Sequence, residues 1–326
     1  IRLKFKLKFF KEEKSMRKRE LGSTGLAVSE IGFGTWQLGN KKDWKGASRE
    51  EGIELVHQAL DLGCNFFDTA PNYGSGNSEK IIGEALKDKR EDVVISTKFG
   101  HFPDGSVDYD ADLIRGSVEN SLKELQTDYL DSLLLHNPPF EALNGDTEHF
   151  DILEELKEEG KIKAYGASVD TSEEILAVMN NSNAEVIEVM FNILYQEPRK
   201  VFAKAKEEGV GLIIKVPLDS GWLTGKYDKD SEFGGIRSRW SQDVIERRAE
   251  LVDKVRDIKD DDVAMVDEAL RYILSYPEVS TVIPGIRNEK QLKQNLTAND
   301  DQLSAEKKEQ YEEFYDDNLA GDELPW

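Results

Sequence analysis

The sequence predicts a closed (β/α)8 TIM barrel, an α/β fold of eight parallel strands each followed by a helix. Eight short apolar runs recur along the 326 residues at intervals of very roughly thirty, and helical patterns separate them. Several runs end in a polar group: Asp68, Lys98, His136, Ser168, Asn192, Lys215 and the Pro284-Gly285 turn. Parallel strands require crossovers, and their carboxyl ends share one face, so residues distant in sequence converge there. A doubly wound open sheet is the alternative.

The first strand reads Glu30 to Thr35, and the helix after it opens on Ser48 and Glu51, which have capping-box spacing. Asn65–Asp68 is the second strand, and Ile81, Ile82, Ala85 and Leu86 fall at helical intervals behind it. The third strand, Val93–Lys98, precedes a helix over Leu113–Leu125. Leu130–His136 is the fourth, followed by a helix from about Phe150 to Glu159 that Gly160 closes. The fifth, Ile162–Ser168, leads to a helix capped by Thr171, and the sixth, Val186–Asn192, to one that begins near Pro198. Val210–Val216 is the seventh strand. Residues from Pro217 to roughly Asp262 are Gly-rich and charged, too long for a routine connection, and read as a functional loop at the pocket. Met265–Leu274, Val279–Ile283 and Glu289–Leu296 complete the eighth unit, and a last helix follows Ser304.

Composition bounds the function. A net charge of −22 and a pI near 4.7 oppose binding to nucleic acid. No apolar run has the length of a membrane span. The single cysteine, Cys64, forms no internal disulfide and sits in an apolar context, which favours the cytoplasm. The first residues alternate apolar with Arg or Lys, unlike a secretory leader, and a recognisable domain start follows Met16. Residues 1–15 are therefore expected as an extension of open role, and 16–326 as one barrel domain.

The chemistry-bearing residues cluster at strand ends. Asp68 ends the second strand, Tyr73 lies on the loop after it, and Lys98 and His136 end the third and fourth. An ammonium next to a phenol stabilises the phenolate and lowers its pKa, and a carboxylate can hold that ammonium in place. His57, His101 and His149 lack comparable placement and are expected in packing or surface roles. No G-x-G-x-x-G follows a strand, and neither H-E-x-x-H nor G-x-S-x-G occurs, which weighs against Rossmann dehydrogenases, zinc peptidases and α/β-hydrolases.

Gly63–Ala70, Tyr73-Gly74 with Ser78-Glu79, Ser96-Thr97-Lys98 and Leu133–His136 stand in an order that resembles the aldo-keto reductases over about residues 17–300. The resemblance implies an NADP-dependent oxidoreductase that reduces aldehydes or ketones to alcohols, with the reverse oxidation open. Tyr73 would be the general acid, Lys98 would tune it, Asp68 would hold Lys98 and His136 would orient the carbonyl, with no metal required. A small-molecule carbonyl substrate is implied, and no specific protein partner.

The same resemblance places NADP(H). Gly34, Thr35 and Trp36 match the segment beside the nicotinamide, and Ser168 the position that contacts its carboxamide. Glu188 stands where Gln is common, Val169 where Asn is common, and Lys215 where an aromatic ring often stacks. Pro217, Leu218, Ser220, Gly221, Leu223, Gly225 and Lys226 match the pyrophosphate loop. Gly285, Arg287, Gln291, Gln294 and Asn295 match the adenosine-phosphate region, where Arg287 would grip a 2′-phosphate and favour NADP over NAD. A second reading is a nucleotide-binding, redox-sensing regulatory subunit that resembles potassium-channel β subunits.

Overall fold

The structure is a computed structural model that describes residues 16–40, 47–298 and 301–325. The expected extension over 1–15 lies outside the described residues.

The chain opens with a hairpin, β1 (Lys18–Glu20) antiparallel to β2 (Ala27–Ser29). Eight strands then pair in parallel in sequence order: β3 (Phe33–Gly34), β4 (Phe66–Asp68), β5 (Val94–Phe99), β6 (Leu130–His136), β7 (Ile162–Val169), β8 (Val186–Met190), β9 (Gly211–Lys215) and β10 (Val279–Val282). The sheet closes on itself. Parallel bridges join Ile31 to Val282 and Gly34 to Gly285, and Gly32 N donates to Val282 O at 2.8 Å. The predicted barrel is therefore the observed one, and the open sheet is excluded.

Strand residues alternate between two environments, as the pleat requires. Phe67, Ile95, Leu133, Leu135, Ala167, Ile187, Leu212 and Ile214 join the large apolar core shared with the helices. The opposite parity fills the barrel. Phe66, Val94, Leu134, Ala164, Val186, Ile213 and Ile283 form a second cluster, which Leu21 and Val28 of the hairpin complete as a floor. Two residues further along several of these strands the same inward parity becomes polar: Asp68, Ser96, His136, Glu188 and Lys215, with Lys98 and Ser168 four residues on. Gly166 lies between floor and mouth, where a Cβ would fall 1.6 Å from Val186 O, so only glycine allows β7 and β8 to pack at that point.

The helices are α1 (Arg49–Asp61), α2 (Asn77–Leu86), α3 (Ile114–Leu125), α4 (His149–Glu158), α5 (Ser172–Asn181), α6 (Phe202–Glu207), α7 (Gln242–Ile258), α8 (Met265–Leu274), α9 (Glu289–Thr297) and α10 (Ala305–Asn318). Two of the predicted N-terminal signals act as caps, while Pro198 lies in a 3-10 turn, Glu197–Val201, just before α6. Ser48 with Glu51, and Thr171 with Glu174, form reciprocal capping boxes.

Two elements depart from the sequence reading. The hairpin was not foreseen, because its strands are three residues long and one partner is mostly charged. The stretch from Pro217 to Asp262 is not all loop: α7 takes seventeen of its residues and buries Ile245, Ala249, Val252 and Val255 at helical spacing. Its many charges hid that stripe.

Candidate active site

Lys98 is the centre of the mouth. Its side chain has no exposed surface, and Nζ lies 2.5 Å from Asp68 Oδ2 and 3.3 Å from Glu188 Oε2. A further bond goes to Thr69 O at 3.1 Å. Tyr73 lies above it on a tight turn in which Gly74, Ser75 and Gly76 all have positive φ. The ammonium sits 5.2 Å from the centroid of the Tyr73 ring. His136 meets that ring edge-on at 5.9 Å, and Trp36 lies on it at 6.2 Å. The four residues expected to do proton chemistry are thus brought together from β4, its following turn, β5 and β6.

Electrostatics sharpen their roles. Burial works against the Lys98 charge, but Asp68 and then Glu188 outweigh it, so the ammonium is held more firmly than an ordinary lysine. The Tyr73 side chain as a whole is only part-buried, yet desolvation of its phenol pushes the hydroxyl above its usual range. Lys98 pulls the other way, and Asp68 and Glu188 push up again. The expected lowering by the ammonium is therefore present but outweighed, and the phenol stays protonated. His136 is driven well below the ordinary imidazole range by burial and then by Lys98, His101 and Lys215. Its Nδ1 is buried without a hydrogen-bond partner among the described residues.

His101 takes the packing role: its ring stacks on His136 at 4.3 Å, and Tyr109 bonds to His101 Nε2 at 2.9 Å and to the backbone oxygens of His136 and Asn137. His57 lies at the surface, bonded to Ala85 O, and His149 is buried, bonded to Tyr109 O, both within the expected surface or packing roles.

Ser168, Glu188 and Lys215 form a second linked group. Ser168 Oγ donates to Glu188 Oε1 at 2.8 Å and accepts from Lys215 Nζ at 2.9 Å. Lys215 also reaches Asn137 Oδ1 at 2.7 Å and Asp170 Oδ1 at 3.1 Å. Sequence reasoning missed Asn137 and Asp170. The signal was their place one and two residues beyond the strand-end residues His136 and Ser168, with Asn137 in the left-handed region that Asn tolerates.

The pyrophosphate-loop match folds as a strained turn: Asp219, Ser220 and Gly221 have φ of 44, 53 and 99. Asp219 pairs with buried Arg248 of α7, and Arg248 Nη2 bonds Pro325 O, which fixes the turn. Lys226 sits 4.5 Å from the Tyr227 ring, and Arg237 bonds Tyr227 Oη at 2.5 Å, so two cations flank Ser220 and Gly221. Pro217 and Leu218 lead into the turn, Leu223 packs wholly in the core, and Gly225 closes the turn with φ 73. Arg237 was not expected from sequence.

Gly34 and Gly285 meet across the barrel seam. Thr35 is buried, with its hydroxyl donating to Asp68 O at 2.7 Å and accepting from Ser78 Oγ at 2.7 Å, which locks the strand carrying Asp68. Gln37 crowds Gly285, and Gln37 Oε1 is a buried acceptor with no partner among the described residues. Beyond them Arg287 N donates to Gln291 Oε1 at 3.0 Å and Asn288 caps α9; Asn295 is buried and Gln294 part-exposed.

Comparison with known proteins agrees with this arrangement. The Aldo/keto reductase family profile matches residues 30–316. An NADH-specific methylglyoxal reductase of Escherichia coli is 30% identical over 87% of this chain and 93% of its own. A probable voltage-gated potassium channel subunit beta of Arabidopsis thaliana is 31% identical over 87% and 92%. The holo form of the aldo-keto reductase AKR11C1 from Bacillus halodurans superposes with a TM-score of 0.79 at 30% identity, covering 92% of this chain and 96% of that one. With the family profile spanning nearly the whole barrel and an Asp-Lys-Tyr-His cluster assembled at its mouth, this chain belongs to the aldo/keto reductase family and is an oxidoreductase.

Proposed function

We propose that the protein reduces aldehydes or ketones to alcohols with NADPH, reversibly, and that Tyr73 is the general acid. The observation that carries this reading is the Tyr73 ring 5.2 Å from a Lys98 ammonium that Asp68 anchors at 2.5 Å. A nicotinamide dinucleotide supplies the hydride when bound.

The residues present fit such a group. Ser220 and Gly221 offer a turn opened by positive φ, with Lys226 and Arg237 to offset phosphate charge. The unpartnered Gln37 Oε1 at the Gly285 seam is an acceptor for a polar ligand group, and Arg287 at the start of α9 is suited to a 2′-phosphate. Ser168 and Asn137 are the groups for the carboxamide, and here Lys215 bonds both. An ammonium replaces the ring that would stack, so this chain orients the nicotinamide by polar contact.

At the reacting carbon, neutral His136 holds the carbonyl oxygen through an imidazole N–H, and Tyr73 delivers its proton to that oxygen as negative charge develops. Lys98 stabilises the phenolate left behind. Reaction in reverse uses the same phenolate as base.

A panel of carbonyl compounds with NADPH and with NADH tests the reading: oxidation of NADPH with at least one aldehyde or ketone is expected. The match to a potassium channel subunit beta favours one second reading, a cofactor-sensing regulatory subunit. Demonstrated cofactor binding without turnover on any carbonyl would decide for it.

A further inference from the structure

Glu188 presents a second carboxyl group to a lysine that already has one. Lys98 Nζ is 2.5 Å from Asp68 Oδ2 and 3.3 Å from Glu188 Oε2, and the three side chains are 0%, 3% and 2% exposed for Lys98, Asp68 and Glu188. Two ionised carboxylates on one ammonium would leave an excess negative charge in a site shielded from water, where it is strongly disfavoured. Lys215 offsets that excess only in part, because Asp170 also holds its ammonium at 3.1 Å. The hydrogen bonding is incomplete in the same place. Glu188 Oε1 accepts from Ser168, but Glu188 Oε2 is buried and accepts no hydrogen bond among the described residues. An acceptor without a donor, beside a carboxyl group and an excess negative charge, is the arrangement that one added proton completes.

We propose that Asp68 and Glu188 share a single carboxyl proton, Asp68 donating to Glu188 Oε2, and that Glu188 thereby acts as a positioning residue that keeps Lys98 singly neutralised beneath Tyr73. Its consequence for catalysis rests on the reductase reading; the proton itself does not. The groups that face the pair are Lys98 of β5, Tyr73 of the turn after β4, His136 of β6, Ser168 of β7 and Lys215 of β9, with Glu79 of α2 behind Lys98. Their balance has the matching asymmetry. Burial and the Glu188 charge hold the Asp68 carboxyl well above its usual range. Burial pushes Glu188 up too, but Lys98 and then Lys215 outweigh it, so that carboxyl is held below.

The proposal has an unusual corollary. Glu188→Gln removes a unit of negative charge only if the pair was doubly ionised; with one shared proton the variant loses that proton instead, Asp68 alone balances Lys98 and the charge facing Tyr73 is unchanged. Infrared spectra of wild type, Glu188→Gln and Asp68→Asn, recorded in H2O and D2O near neutral pH with neither cofactor nor substrate, read the proton directly. The wild type should have a deuterium-sensitive C=O stretch of an un-ionised carboxyl that both variants lose. Glu79 and Glu268, which burial also pushes up, remain in all three proteins and cancel in the differences. Persistence of the band in Glu188→Gln, or its absence from the wild type, overturns the proposal. In alcohol oxidation the limb set by Tyr73 should stay within about half a pH unit in Glu188→Gln. A fall of roughly one unit or more, as loss of a like charge at close range would give, overturns it as well. The spectra require no turnover. If no carbonyl is reduced yet both variants lose the band, the reductase reading fails and the shared proton stands; an active enzyme without the band leaves the reductase and refutes the proton.

Discussion

At Tyr73 three charges and one desolvation compete, and the outcome sets a pH profile. The phenol is held above its ordinary range, and the proposed reduction uses it protonated, so the reduction rate should stay level through neutral pH and fall only in strong alkali. His136 is held well below the imidazole range, and the proposed mechanism uses it as the neutral ring, so an acid limb in kcat/KM should lie below the pH at which free imidazole titrates. Initial rates across pH check both limbs; an acid limb near the free imidazole value would contradict the burial of His136. Tyr73→Phe removes the transferred proton and should lower kcat by about 10²- to 10⁴-fold, with cofactor affinity retained in a fluorescence titration. Arg287→Ala should weaken NADPH more than NADH, because only the former carries a 2′-phosphate; equal losses would move that role to another side chain.

Among elements, α7 is where the sequence reading and the structure part most usefully. Asp68, Lys98, His136 and Ser168 were legible because each ends an apolar strand, and strand ends converge by topology alone. His101, Asn137 and Asp170 were not: they lie just beyond β5, β6 and β7, and their pairing with the strand-end residues His136 and Lys215 depends on loop paths that the apolar strand pattern does not encode. The same holds for Arg248. In sequence it is one cation among several on a charged stretch, whereas in the structure it is 1% exposed and joined to Asp219 and to the backbone of Pro325. It therefore couples α7, the turn at Ser220-Gly221 and the carboxyl-terminal segment. Arg248→Ala leaves the Asp219 carboxylate buried and unpaired, and should cost about 3–5 kcal/mol in a denaturant titration. It should also weaken dinucleotide binding, because the strained turn loses its anchor. A variant with unaltered unfolding midpoint would mean that Asp219 finds water instead.

For the whole molecule, the division of the barrel interior governs both stability and approach. The floor is apolar and the mouth polar, an ordering read directly from the inward parity of the strands. Leu21 is fully buried on that floor, so Leu21→Ala should cost about 2–5 kcal/mol by denaturation while leaving KM for a carbonyl substrate near the wild-type value, since the hairpin lies at the end opposite the mouth. A large change in KM would show that the floor transmits strain to Lys98. Charge follows the same axis. On a chain of net charge −22, Lys98 and Lys215 are balanced by Asp68 and Asp170, whereas Lys226 and Arg237 flank the Ser220-Gly221 turn, where they would give an anionic dinucleotide a local field against a repelling surface.

The hairpin that closes the floor has one more effect, on traffic. Among the described residues, Leu21 and Val28 pack beneath Phe66, Val94 and Leu134, so the lower half of the barrel is filled with apolar side chains. Whatever reacts above Lys98 must arrive and depart through the same opening, past the same loops.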